Sequence, residues 1–254
     1  MSLSALERSV GARRASRGAD AGLAAARATV ARAELRGGSL WLDGRPLTSD
    51  RVREEVRGAF ERTEVDADEL TVSHGPQAAD PDSLGEGAIA RGAPIVIDLY
   101  PRDPGTAVHA DSARTIAVEP SDELRRLHAV CVEILETLAA GLRAGVSVKE
   151  LWRLASAGYA QAGAVPRHAA APGSTWFPPL LGHGVGLTLH EPPFIGEDRS
   201  GVLGAGDLVA LEPALYRDGW GGCRVENLYL IDEDGCELLI AAPIDLDVGV
   251  GAGV

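Results

Sequence analysis

Five ionisable residues stand in five successive segments that are otherwise apolar enough to be buried strands. They are Asp98 in IVIDLY, Asp111 in AVHADSARTIAV, His183 in GHGVGLTLHEPP, Glu212 in LVALEPALY and Glu226 in GGCRVENLYLI. A carboxylate inside an apolar strand is costly unless it is paired or coordinates a metal. One such residue can be a satisfied ion pair; five in a row need a common cause. The fold must bring these strands together around one polar site, and the five side chains read as a ligand set for two metal ions.

The segments between them set the class. Residues 4–36, rich in Ala and Arg, read as one long helix with a break at Gly18. Residues 39–47 form a short hairpin around Asp43-Gly44, and a second helix runs from Thr48 or Ser49 to Arg62. Strands are expected over 69–74, 94–100 and 107–118. A third helix begins after Pro120 and carries an apolar stripe of Leu124, Leu127, Cys131, Leu135, Leu138 and Leu142. Ser147 and Glu150 make a capping box for a fourth helix, which Gly163 ends. After a Pro/Gly-rich loop over 166–180, strands are expected over 184–190, 207–216, 222–231 and 236–241, with a frayed tail over 243–254. Two helices then strands, twice over, is the order of an α+β domain with an antiparallel sheet, not of alternating β-α units. Helices would cover one face of a curved sheet, and carboxylates from both halves would converge on the other.

Spacing supports that convergence. Asp98 and Asp111 lie on either side of a turn holding Pro101, Asp103-Pro104 and Gly105, so a hairpin would put both on one face. Glu212 and Glu226 repeat the device across Arg217-Asp218-Gly219. His183 and His190 are an odd number of residues apart, so both line a site only if the chain bends, which Gly184 and Gly186 make easy. One imidazole and four carboxylates suit Mn, Fe, Co or Zn, without the sulfur of structural zinc. Two such ions can share and acidify one water that attacks a carbonyl, so the reaction class is metal-assisted hydrolysis.

Composition removes other classes. A net charge of −13 over 254 residues argues against nucleic acid and anionic membranes as partners. Cys131, Cys223 and Cys236 are too few and scattered for a disulfide framework, and no C-x-x-C offers a thiolate zinc site. An odd cysteine count without a secretory signal points to the cytoplasm. The glycines of GHGVG and GWGG do not form a dinucleotide fingerprint. Trp176 and Phe177 are expected to anchor their loop to the core, and His128 and His168 to lie at the surface.

The stretches IDLYPR, HADSARTI, GHGVGLTLHEPP, LEPALY and GGCRVEN, in this order, resemble the creatinase/aminopeptidase or pita-bread superfamily of dinuclear metallopeptidases, with the Xaa-Pro peptidase branch as the best match. The resemblance covers residues 10–242 and implies a pita-bread fold whose duplicated helices pack on a curved antiparallel sheet. It implies one catalytic domain over 1–242, without the N-terminal domain that such peptidases usually carry, and a homodimer as a possible assembly. By this resemblance Asp98 chelates one metal, Asp111 and Glu226 bridge, and His183 with Glu212 holds the other. Glu212 also shuttles a proton from the bridging water or hydroxide to the leaving amine. His190 contacts the scissile peptide, and Arg224 orients a bridging carboxylate or binds the substrate's carboxylate end. The implied cofactor is a pair of divalent ions, manganese first, with cobalt, zinc or iron as alternatives, and the implied partner is a short peptide cleaved at an N-terminal Xaa-Pro bond. Two further departures stand out. Asp82 follows Pro81 where the family commonly has a histidine that contacts substrate, and the Asp98–Asp111 turn is slightly longer than in many relatives. A methionine aminopeptidase, a metal-free binding module on the same fold and a creatinase-like hydrolase are the alternative readings.

Overall fold

A computed structural model describes residues 3–249. The first half comprises α1 (Ala5–Ala31), a small antiparallel sheet of β1 (Glu34–Arg36), β2 (Ser39–Leu42) and β3 (Arg45–Pro46), then α2 (Ser49–Thr63) and the antiparallel sheet β4 (Thr71–His74), β5 (Ile95–Leu99) and β6 (Ser112–Ile116). The second half opens with α3 (Asp122–Ala139) and α4 (Val148–Gln161). Its strands are β7 (Val165–Pro166), β8 (Trp176–Phe177), β9 (Leu180–Gly184), β10 (Glu191–Gly196), β11 (Leu208–Leu211), β12 (Ala214–Arg217), β13 (Gly221–Arg224), β14 (Asn227–Ile231) and β15 (Cys236–Leu238). They form one sheet in the order β10-β9-β11-β14-β15 and another in the order β13-β12-β8-β7. Among the described residues, the pairings between these strands are antiparallel except β7 with β8. The α+β class and the duplicated order are those expected. Among the described residues no helix is long and apolar enough to cross a membrane.

Gly18 does not break α1. Ala12, Ala15, Ala19, Leu23, Ala26 and Val30 recur at helical spacing on its buried face. A Cβ at Gly18 would lie 2.5 Å from Val65, and one at Gly22 2.7 Å from Phe60, so these glycines let α1 sit close against its neighbours. The helix stops at Ala31, short of the expected residue 36, because Gly37 and Gly38 turn the chain at positive φ and pair Glu34–Arg36 with β2. At α4 the capping box does not form: Ser147 makes no side-chain cap, and the Glu150 N–H donates instead to Ser147 O at 3.0 Å. Gly163, at φ 79°, does end that helix region.

The second-half strands are cut where long ones were expected. No strand spans 185–190; β9 ends at Gly184, and a tight loop carries the chain to β10. The expected 207–216 and 222–231 strands each divide in two, at Glu212-Pro213 and Val225-Glu226. Pro213 has no N–H for a ladder. The register nevertheless carries through the gap, since Leu211 faces Asn227 on one side and Ala214 faces Arg224 on the other. Glu212 therefore lies across from Glu226, both outside the ladder.

Two apolar cores flank the central strands. On β11, Leu208 and Ala210 pack into the core under α1 and α2, whereas Val209 and Leu211 pack into the core under α3 and α4. This two-sided burial explains why the segment is apolar at every position up to Glu212.

Residues 243–249 are not frayed as expected. Ala117 pairs with Asp247, its N–H donating to Leu246 O at 2.9 Å, and Leu246 and Val248 are buried. Residues 243–249 are thus part of the packed structure, and 250–254 lie outside the described residues. This segment also covers His128, which is 8% exposed and not at the surface as its helix position suggested. His168 is exposed, 3.5 Å from Glu197.

Candidate metal centre

Each candidate ligand is placed by a local rule. Asp98 is the alternate residue of β5, whose Ile95, Ile97 and Leu99 enter the first core. Asp98 pairs with Ala113 and Leu99 with Ser112, so Asp111, just before β6, projects from the same face as Asp98. Glu212 and Glu226 occupy the facing breaks described above. Several bonds join the halves here, among them the Glu226 N–H to Ala113 O at 2.9 Å, the Arg224 N–H to Thr115 Oγ1 at 2.8 Å and the Thr115 hydroxyl to Arg224 O at 2.9 Å. His183 sits on β9 opposite Ala210. Glycines flank it because a Cβ at Gly182 would stand 2.1 Å from Ala210 O and one at Gly184 2.4 Å from Pro192 O. The loop after Gly184 folds His190 back so that its ring meets that of His183 edge-on, centroids 4.4 Å apart. The bend required by their odd spacing is this loop, not a bulge.

All seven expected site residues, Asp98, Asp111, His183, His190, Glu212, Arg224 and Glu226, line one cleft of about 510 Å³. Donor atoms of Asp98, Asp111 and Glu226 lie within 4.8 Å of one another, as do those of Asp111, His183 and His190, so Asp111 is common to both groups. His183 Nε2 is 3.5 Å from Asp111 Oδ2 and 3.8 Å from Glu212 Oε1. Arg224 reaches Asp98 at 3.2 Å and Glu212 at 3.6 Å.

The electrostatics call for cations. Three buried carboxylates, Asp98, Asp111 and Glu226, and the half-buried Glu212 face one arginine. Burial and the neighbouring Asp98 and Glu212 hold the Asp111 carboxyl well above its ordinary range. Burial, then Asp111 and Asp98, do the same to Glu226. Burial also raises Glu212, against the pull of Arg224. The imidazoles of His183 and His190 are pushed down by burial, His190 further by His183, which keeps them neutral and able to ligate. Asp98 Oδ1 is buried without a hydrogen-bond partner. An orphaned carboxylate oxygen, neutral imidazoles and crowded acids are what a divalent cation resolves, and the residues present fit such ions.

The family model of metallopeptidase family M24 matches residues 11–233. The chain belongs to that family. Among curated M24 relatives, the Xaa-Pro dipeptidase of Pyrococcus furiosus is 30% identical over 178 residues, covering 69% of this chain and 48% of that protein. A probable dipeptidase PepE of Mycobacterium tuberculosis is 28% identical over 181 residues, covering 70% of this chain and 46% of that protein. The chain thus spans about half the length of these relatives. Its pita-bread fold is shared with the X-Pro aminopeptidase of Thermotoga maritima, at TM-score 0.78 and 24% identity, covering 94% of this chain and 62% of that one. The prolidase of Pyrococcus furiosus matches at TM-score 0.78 and 24% identity over 93% of this chain and 64% of that one.

Several cleft residues were not legible beforehand. Glu69, Thr71, Tyr100 and Tyr216 line the cleft, and burial beside Asp98 raises the Tyr100 hydroxyl to about 12. Thr71 shares the Asp98 face, since the two are register partners, but a threonine in a strand carries no signal of its own. Asp82 does line the cleft, beside Pro81. His74 does not; it is buried at the end of β4, within 3.0 Å of Glu86 O. Trp176 and Phe177 are buried as loop anchors, Phe177 stacked on Tyr159 at 4.5 Å, while Pro178 and Pro179 form cleft wall.

Proposed function

We propose that the chain is the catalytic part of an Xaa-Pro peptidase that holds two divalent cations and hydrolyses the bond after the first residue of a peptide. The observation that carries this reading is the sharing of Asp111 between two ligand groups within one buried carboxylate cluster. In this reading Asp98 would hold one ion, His183 and Glu212 the other, and Asp111 and Glu226 would be shared between them. The relatives named Xaa-Pro dipeptidase and dipeptidase support the substrate class.

When bound, the cations supply an acidified water and an electrophile for the scissile carbonyl. The chain's own residues do the rest. Glu212 takes the proton released as the new carbon–oxygen bond forms and passes it to the nitrogen as the carbon–nitrogen bond breaks. His190, neutral beside His183, donates to the carbonyl oxygen as that oxygen gains charge. Arg224, bonded to Asp98 and Glu212, fixes two carboxylates in place and presents its charge to the substrate.

The test is an assay of chelator-treated protein reconstituted with Mn, Co, Zn or Fe, on Xaa-Pro peptides and on Met-Ala-Ser. Release of the first residue from Xaa-Pro substrates, with Mn the most effective ion, is expected. A folded protein inactive with every ion contradicts the reading, and preference for Met-Ala-Ser transfers it to the methionine aminopeptidases.

A further inference from the structure

The cleft does not end at the ligands. It shares Pro81, Pro178 and Pro179 with an adjoining open trough of about 540 Å³. At the trough's outer end the Arg167 guanidinium lies 4.1 Å over the Trp176 ring. Asp218 locks this stack, accepting from Arg167 at 3.0 Å and from Trp176 Nε1 at 3.0 Å. Trp176 is buried, so the face offered to the trough belongs largely to the guanidinium.

We propose that this trough binds the residues that follow the scissile bond, so that the favoured substrates are peptides longer than a dipeptide. The proposal rests on the peptidase reading above. If the bond cut is the N-terminal one, only one residue lies before it, and any extension of the substrate lies after it. A trough continuous with the cleft is therefore a path for that extension. Its walls combine proline faces with the polar Asp80, Arg167 and Asp218, and suit an extended chain. Proline has no N–H to leave unsatisfied against substrate, and a planar guanidinium held flat on an indole stacks against peptide or aromatic faces. An extended peptide advances 3.3–3.6 Å per residue, so a few residues beyond the first suffice to enter the trough. Contacts made far from the reacting atoms raise turnover as well as binding.

The experiment compares Phe-Pro with Phe-Pro-Ala-Ala-Ala on the metal-reconstituted chain, together with calorimetric binding of the pentapeptide, in the wild type and in Arg167→Glu. Arg167 is exposed, so the variant is expected to fold, and its melting curve checks this. The expected result is a kcat/KM for the pentapeptide roughly tenfold above that for the dipeptide, because remote contacts contribute to the transition state. In Arg167→Glu that ratio falls towards one and pentapeptide binding weakens. Equal rates on the two substrates in an active wild type overturn the trough and leave the peptidase reading intact. A second copy of the chain seated on the trough would remove the length effect and overturn it in the same way. If no peptide is hydrolysed, pentapeptide binding that Arg167→Glu weakens still supports the trough while the peptidase reading falls. Binding indifferent to the substitution overturns it.

Discussion

At the residue scale the centre is a problem of buried charge. Asp111 is pushed well up by burial and by Asp98 and Glu212, and Glu226 by burial and by Asp111 and Asp98. A carboxyl whose folded value is raised contributes stability that is present below its unfolded value and lost as pH rises through the folded one. His183 and His190 work in the opposite sense, their depressed values removing stability as pH falls below 6.5. The histidine effect ends above 6.5, so any change in the melting temperature of chelator-treated protein as pH rises further is expected to be a drop. Saturating Mn should abolish that drop; a metal-free melt that is flat with pH would show that the acids are not mutually strained. Asp82 is the other residue-scale test. It lines the cleft where a histidine is usual for the resembling family, and it cannot donate when ionised. Asp82→His is expected to raise kcat/KM on Xaa-Pro peptides by roughly tenfold or more, in the range of one added hydrogen-bond donor to a developing oxyanion. An unchanged rate would place Asp82 away from the reacting carbonyl. The ligands were legible because each breaks an apolar strand. Tyr100, Tyr216 and Glu69 were not, because an aromatic at a strand end or an acid in a polar loop breaks no pattern.

At the element scale the centre depends on interruptions. Asp98 and Asp111 could be assigned to one hairpin face from alternation alone. The division of β11 from β12 at Pro213 and of β13 from β14 at Glu226 could not, since apolar runs on both sides of each glutamate read as one long strand. The physical cause is a missing donor at Pro213 together with a Glu226 N–H spent on Ala113 of the other half. The β9 strand is equally constrained, since Gly182 leaves no room for a Cβ against the Ala210 carbonyl. Gly182→Ala is expected to cost about 1–3 kcal/mol by overpacking and to weaken metal binding by shifting His183. Chemical denaturation and metal titration check both; a loss of stability with unchanged metal affinity would show that β9 yields elsewhere than at His183.

At the scale of the whole molecule, Arg114 joins parts far apart in the sequence. It donates to the carbonyls of Glu226 at 2.6 Å, Ala242 at 2.7 Å and Pro243 at 3.0 Å, and to Asn227 Oδ1 at 2.9 Å. Asp20 of α1 accepts from the Ala242 N–H at 2.8 Å. The C-terminal segment is thereby tied to both halves and to the backbone of a ligand. Its sequence, PIDLDVGVGAGV, reads as a loose end because it has neither helical nor strand period. The order of residues 243–249 comes from partners on α1, α3 and β6 that no local pattern records. Truncation after Ala241 should strip Arg114 of two acceptors and cost on the order of 2–4 kcal/mol, about 1–3 for each buried donor left unmade with partial compensation by water. Urea unfolding measures it, and an undiminished midpoint would mean the segment is ornamental. The two-half plan was legible at this scale, because helices followed by strands occur twice in order.

The central claim is that two halves meet to hold two metal ions, and stoichiometry tests it most directly. Calorimetric titration of chelator-treated protein with Mn should give two ions bound per chain. Asp111→Asn, which alters the ligand common to both groups, should bind neither ion with wild-type affinity. A wild-type chain that binds one ion, or none, contradicts the account.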